Sequence, residues 1–404
     1  MITLTKPNAT IAQVEPPRRM RDTARDSAVA IILLLIPIGL RYLLRRDTLL
    51  FPFLFGATCA ILATAVVVLR TPILRNISLS LATVFAIIFG LELYLAVAQG
   101  DHPVRDEGTY TNGYFLRGGP LGYGPRPGIR VTSRRTVGDR VVFDVTYTIT
   151  PQGIRATPGS RPGGDTVLFF GCSFTFGEGV NDDETLPFYF ARGTGFKYNV
   201  VNLGFHGYGP HQMLRSLQLQ LPNQIITGRV KAVIFQTGLF HIWRSMGMSP
   251  WDKDGPRYHL EGNARAVYTP RSFLRVPQVF DKAVGKSKLV EFVTETLQNR
   301  PGRETEAVEL YAAIIEEAAY LVRQRYGCKL TLLYWDHDFH VLSKGDRETT
   351  QRLLTRFLGD RDIQLLRASG QVPAFAGEYT IVGDGHPSPL AHRLNAEALI
   401  RRLE

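Results

Sequence analysis

Residues 166–180, Thr-Val-Leu-Phe-Phe-Gly-Cys-Ser-Phe-Thr-Phe-Gly-Glu-Gly-Val, constrain this chain more than any other stretch. The apolar run from Thr166 to Phe170 reads as a buried strand. It stops at Gly171, and Ser173 follows two residues later. Gly177 and Gly179 come next, and the segment from Glu184 to Pro187 can open a helix. A strand that breaks at glycine, presents a serine and turns into a helix is a good mount for a nucleophile. The turn exposes the Ser173 hydroxyl, and backbone N–H groups there can hold a developing negative charge. Taken alone, the stretch fits a glycine-rich turn with a solvated serine equally well. Cys172 is a second nucleophile candidate, although a free cysteine is ordinarily a small buried neighbour.

Downstream of this turn, strands alternate with helices. Residues 198–205, 230–237, 329–335 and 363–367 read as strands. Residues 209–219, 304–325 and 389–403 read as helices, with Val308, Tyr311, Ala312, Ile315, Ala319 and Val322 carrying the amphipathic period of the second. This rhythm predicts a mainly parallel sheet covered on both faces. Ligands bind at the carboxyl ends of such strands, where Gly171, Gly204 and Gly238 fall. Residues 239–303, rich in proline and basic residues, interrupt the rhythm and read as a functional insertion or lid, or as a structural excursion.

Upstream, the chain divides by composition. Residues 1–26 are polar and basic, which suits a cytosolic tail. Apolar stretches at 27–44, 48–69 and 77–98 approach the ~20 residues that cross a bilayer, so 27–100 is expected to be a three-helix anchor in a lipid bilayer. The positive-inside rule, with Lys6, Arg18, Arg19, Arg21, Arg25, Arg70 and Arg75 on one side, places the N-terminus inside and residues 101–404 outside the cytoplasm. The expected location is the cell (inner) membrane, multi-pass. Residues 101–165 form a glycine-, proline- and arginine-rich collar. Within it, 140–150 alternates as a strand does, and 129–132 is a candidate partner.

The net charge of +11 is dispersed: residues 1–100 hold 10 Lys/Arg against 5 Asp/Glu, and the remainder holds 37 against 31. No basic stripe interleaved with aromatics is present, so nucleic acid is not an expected partner. Cys59, Cys172 and Cys328 have neither metal spacing nor a disulfide pattern. No nucleotide loop is visible, and neither a metal nor a cofactor is expected.

Near the C-terminus, residues 382–389 read Val-Gly-Asp-Gly-His-Pro-Ser-Pro. A serine nucleophile needs a base within hydrogen-bond reach; His386 can serve, and a carboxylate such as Asp384 can fix its tautomer. Asp-Gly-His alone is more often an ordinary turn.

Together these stretches resemble the SGNH (GDSL-like) hydrolase superfamily. Gly171-Cys172-Ser173-Phe174-Thr175-Phe176-Gly177 is similar to its first block, with Cys172 where aspartate is usual. Residues 202–209 look like the second block, and Asp384-Gly385-His386-Pro387 looks like the last. Over 166–404 the resemblance implies a flavodoxin-like α/β domain, Ser173 as nucleophile, His386 as base and Asp384 as its orienter. It also implies oxyanion donors at the backbone N–H groups of Ser173 and Gly204. The third block departs: Gln236 to Arg244 contains no asparagine, which makes His241 or Gln236 the replacement donor. His206, His211 and Arg244 are substrate-binding or structural. The implied activity is a membrane-anchored serine esterase or O-acyltransferase acting on acylated carbohydrate of the cell envelope or of exported polysaccharide. The alternatives are a lipid esterase and a catalytically weak polysaccharide-binding or assembly subunit.

Overall fold

The computed structural model describes residues 50–69, 72–98, 106–247, 249, 251–262, 265–270, 287–289, 303–336, 344–371 and 377–403. The chain divides into two compact units, one of residues Met1–Pro103 with Val276–Leu297 and one of Val104–Arg275 with Gln298–Glu404.

In the first unit, helix α1 spans Leu50–Val68 and helix α2 spans Pro72–Ala98. Among the described residues one helix, Pro72–Leu95, is long and apolar enough to cross a membrane. Its outward face carries exposed Ile73, Leu74, Ile77, Leu81, Val84, Ile87 and Leu91. The apolar part of α1, Pro52–Val68, is shorter than a full span. The expected three-helix anchor is therefore corrected to one candidate span; the stretch at 27–44 lies outside the described residues. The α2 carboxylate Glu92 is buried and accepts hydrogen bonds from Ser287 Oγ (3.0 Å), Lys288 N (2.7 Å) and Leu289 N (2.8 Å). Part of the insertion read at 239–303 thus belongs to this unit.

The second unit begins with short antiparallel strands: β1 (Asp106–Tyr110), β2 (Phe115–Arg117), β3 (Tyr123–Pro125), β4 (Arg130–Val137) and β5 (Arg140–Thr148). β4 lies between β1 and β5, and a register shift at Arg135/Thr136 bulges its pairing with β5. The core of this sheet, with Val131, Phe143 and Tyr147, packs on Phe176, Phe205 and Tyr208 of the following domain.

That domain contains strands β6 (Thr166–Phe170), β7 (Asn199–Asn202), β8 (Val230–Gly238), β11 (Leu330–Trp335) and β12 (Ile363–Arg367), in the order β12-β11-β8-β6-β7. Every pairing is parallel, with Leu168 of β6 facing Val201 and Val233. Alternate β6 side chains enter opposite layers: Leu168 and Phe170 join one apolar cluster, and Val167 and Phe169 the other. Helices α5 (Pro210–Gln218), α7 (Arg303–Tyr326) and α8 (Lys344–Gly359) contribute to the first cluster; α4 (Leu186–Gly193) and α9 (Pro389–Leu403) contribute to the second. Between α5 and α7 the short helix α6 (Ile242–Ser245) is followed by a hairpin of β9 (Arg257–Glu261) and β10 (Arg265–Thr269). A one-turn helix, α3 (Ser173–Phe176), follows β6 directly. The chain runs from β6 to β7 on one side and then crosses to β8 on the other. This reversal opens a crevice at the carboxyl end of β6, where such sheets bind ligands.

Candidate active site

The turn after β6 is set by close packing. A Cβ at Gly171 would stand 2.1 Å from Thr175 Oγ1, so only glycine lets the turn close. Asn202 at the end of β7 donates from Nδ2 to the Thr175 carbonyl (3.1 Å). Buried Arg155 grips the far side of the turn. It donates to the carbonyls of Phe176 (2.8 Å), Gly177 and Val180 (2.7 Å) and to Asp182 Oδ1 (3.1 Å), between the rings of Tyr147 and Phe176. Burial pulls its pKa down, and Asp182 opposes that fall.

Ser173 Oγ and His386 Nε2 are 2.8 Å apart. Across the ring, Nδ1 is hydrogen-bonded to Asp384 Oδ2. Gly385 (φ +87°) lets the loop turn back within one residue, so Asp384 and His386 meet despite having a single residue between them. Asp384 is buried and ion-paired with Arg135 of β4. Phe174 lies edge-on to the imidazole at 5.4 Å. Burial lowers the His386 pKa, but the hydrogen bond to Asp384 and the charges of Glu178 and Asp384 outweigh it, so the net direction is upward.

Glu178 completes the cluster. Its Oε2 lies 2.7 Å from His206 Nδ1 and 3.5 Å from His386 Nε2, and its Oε1 accepts from Tyr110 Oη at 2.8 Å. Burial works against ionisation of this carboxyl, yet His206, His386 and Tyr110 outweigh it and hold the pKa far below the usual carboxylate range. Burial also keeps Tyr110 and Tyr114 protonated. Tyr114 Oη is hydrogen-bonded to His206 Nε2 (2.8 Å), across the ring from Glu178. Ser173, His386, Glu178 and His206 share one open pocket with Phe115, Tyr123, Trp251, Arg117, Arg244 and Asp254.

Of the expected oxyanion donors, the Ser173 N–H opens the α3 turn, where the first amides have no partner within the turn. The other two are corrected. The Gly204 N–H donates to Asn202 Oδ1 (3.1 Å), and the residue lies beneath the turn, where a Cβ would approach Phe176 N to 2.7 Å. His241 is fully buried: its Nδ1 shares a 2.9 Å hydrogen bond with Thr237 Oγ1, and its ring stacks on Phe235. The turn Leu239–His241 at the end of β8 directs that ring into the core, not into the pocket. Gln236 is buried as well, with Oε1 accepting from Thr175 Oγ1 at 3.0 Å. Cys172 is buried beside Ser173. His211 is buried against Asp252 (2.6 Å), which anchors the segment carrying Trp251; Arg244 lines the pocket and donates to the Tyr208 carbonyl (2.9 Å).

Sequence reasoning missed Glu178, Arg135, Arg155, Tyr110 and Tyr114. Glu178 sits inside the very stretch read as the nucleophile mount. A carboxylate five residues after the serine was the available signal.

No protein-family model matches the chain, and no curated protein matches it. Among solved structures it is similar to a protein described as lipolytic, of the G-D-S-L family, from Desulfitobacterium hafniense DCB-2. That match has 12% identity and a TM-score of 0.34 and covers 58% of this chain and 98% of that one. It is similar also to a carbohydrate esterase whose active site is described as having divergent catalytic and non-catalytic binding functions (12% identity, TM-score 0.33, 74% of this chain and 97% of that one). A third is a salicylyl-acyltransferase from a tetracycline biosynthetic pathway (14% identity, TM-score 0.31), of which the chain spans 53% while 59% of its own length is covered.

Proposed function

We propose that the second unit is an SGNH-type serine acyl-transfer domain. Ser173 attacks an ester carbonyl, and His386 Nε2 takes its proton. Asp384 holds the imidazole in the tautomer that leaves Nε2 free to accept. The alcohol departs with the proton from Nε2, leaving an acyl-Ser173 ester. Water or a hydroxyl acceptor then repeats the cycle in reverse, which makes the site an esterase or an O-acyltransferase. The observation that carries this reading is the 2.8 Å approach of Ser173 Oγ to His386 Nε2 with Asp384 behind the ring. The substrate class we propose is acylated carbohydrate of the cell envelope or of exported polysaccharide, reached from a bilayer through the apolar helix Pro72–Leu95, with the domain outside the cytoplasm.

The test is covalent labelling of the intact protein with a fluorophosphonate. Labelling that disappears in Ser173→Ala and in His386→Ala is the expected result. Absence of labelling in the unsubstituted protein overturns the proposal. One observation favours a second reading, a weakly catalytic polysaccharide-binding subunit: neither Gly204 nor His241 presents a free donor to the pocket. Glycan retention without ester turnover would select it.

A further inference from the structure

Two hydrogen-bonding atoms face the pocket side by side: Nε2 of His386 and Oε2 of Glu178, 3.5 Å apart. The triad uses the first. The second belongs to an ionised carboxylate fixed from behind by His206 and Tyr110, so it cannot swing away. Each carboxylate oxygen has two acceptor positions. His206 fills one on Oε2; the Glu178 side chain lines the pocket and keeps 14% of its surface, which leaves its carboxylate room for a further donor. Two acceptors at this separation match a pair of hydroxyls on adjacent carbons of a sugar ring. A lone alcohol or a lipid acyl chain engages only one of them. The walls suit the same class: Trp251 and Phe115 are 52% and 43% exposed, and aromatic faces joined to a few fixed polar groups are what a sugar ring needs.

We propose that Glu178 is a specificity residue that binds the hydroxyl adjacent to the one undergoing acyl transfer, so that the site selects monoesters of vicinal diols, as in carbohydrate. This rests on the acyl-transfer reading above. In the step itself His386 Nε2–H gives its proton to the departing alcohol oxygen as the carbonyl–oxygen bond breaks and the Ser173 ester forms. The neighbouring hydroxyl stays protonated and donates to Glu178 throughout. In the return step the acceptor hydroxyl gives its proton to Nε2 while its neighbour holds the same bond. Glu178 gains and loses no proton. A charge-assisted bond of this kind discriminates strongly, because an ester lacking the second hydroxyl leaves a desolvated carboxylate short of a partner.

The experiment compares 2-hydroxyethyl acetate with ethyl acetate, which differ only in the neighbouring hydroxyl, in the full-length protein. The expected kcat/KM ratio is about 10 or more in favour of the diol ester. In Glu178→Gln and Glu178→Ala that ratio falls toward one, because turnover of the diol ester drops more than that of ethyl acetate. A ratio near one in the unsubstituted protein overturns the inference without reference to any variant. An equal loss on both esters in the variants also overturns it and makes Glu178 only a support for His386. Failure of the unsubstituted protein to label or to turn over either ester is the separate failure of the acyl-transfer reading.

Discussion

Replacing Arg155 with methionine tests whether the turn that carries Ser173 is held from outside the five-stranded sheet. The substitution keeps an apolar stem between Tyr147 and Phe176 and deletes the guanidinium. The Val180 carbonyl then loses the guanidinium, those of Phe176 and Gly177 keep only 3.4 Å bonds from Asn202 Nδ2 and the Val180 N–H, and Asp182 loses its charge partner. Breaking a buried pair costs about 3–5 kcal/mol. Each buried carbonyl left unpaired costs about 1–3 kcal/mol. These penalties do not add in full, because the turn relaxes once released. Asp182 is also part-exposed and keeps the Thr148 N–H. A loss of about 4 kcal/mol is the working value, equivalent to roughly 8–16 °C in melting temperature for a domain of this size. Thermal unfolding followed by circular dichroism measures it. The rate of Ser173 labelling below the transition reports whether the turn has moved, and a fall of at least about tenfold is expected from a misplaced nucleophile. A variant that melts within about 4 °C of the unsubstituted protein and labels at the same rate refutes the reasoning.

Four further outcomes follow, three from the site and one from His392, buried in α9. Asp384→Asn should lower kcat by ~10³–10⁴ with little change in KM, because the imidazole loses the partner that fixes its tautomer; ester turnover reads this directly. The raised pKa of His386 means that the neutral base becomes available only above its ordinary value near 6.5. The acid limb of the labelling rate should therefore lie on the alkaline side of pH 6.5, and a limb below pH 6 contradicts the assignment. His241→Gln should destabilise the fold while changing turnover less than about threefold, whereas an oxyanion donor would cost ~10²–10³. Burial first, then Arg155 and His386, push the His392 pKa down to about 3. Because the unfolded chain takes that proton near pH 6.5, the stability it contributes is present above pH 6.5 and is lost as the pH falls toward 3. Between pH 7.5 and 5.0 the loss is about 2 kcal/mol. Denaturant melts at the two pH values should show that difference removed in His392→Gln.

The sheet was legible because its strands are short apolar runs, with β6, β7 and β8 closing at or near a glycine. The readings at 363–367 and 389–403 coincide with β12 (Ile363–Arg367) and α9 (Pro389–Leu403). The turns that carry Ser173, Asp384 and His386 were legible because glycines set them, and the three side chains meet in the fold. Glu178 was not, since its role depends on His206, Tyr110 and His386, which come from three other segments. Arg135 and Arg155 read only as two charges in an arginine-rich stretch; what separates them from Arg134 is the half-buried pairing of Arg135 with Asp384 and the full burial of Arg155 against the Ser173 turn. His241 was misplaced because position along β8 does not disclose which way a one-turn helix rotates a ring. The anchor is expected as three helices because hydropathy registers apolar length alone; among the described residues only Pro72–Leu95 is long and apolar enough to cross, and Pro52–Val68 is shorter.

The residues before β6 do more than precede the sheet. Tyr110, Tyr114, Phe115, Tyr123 and Arg135 all reach the pocket or its charged groups from strands between 106 and 137 or their connections. The five-stranded sheet is consequently not a transferable module. A shortened protein starting at Thr166 would retain Ser173 and His386 yet surrender one wall of the cleft and the counter-ion of Asp384. Any chimera that keeps these contacts must carry the upstream strands with it, so the smallest portable piece is longer than the sheet that gives it its shape.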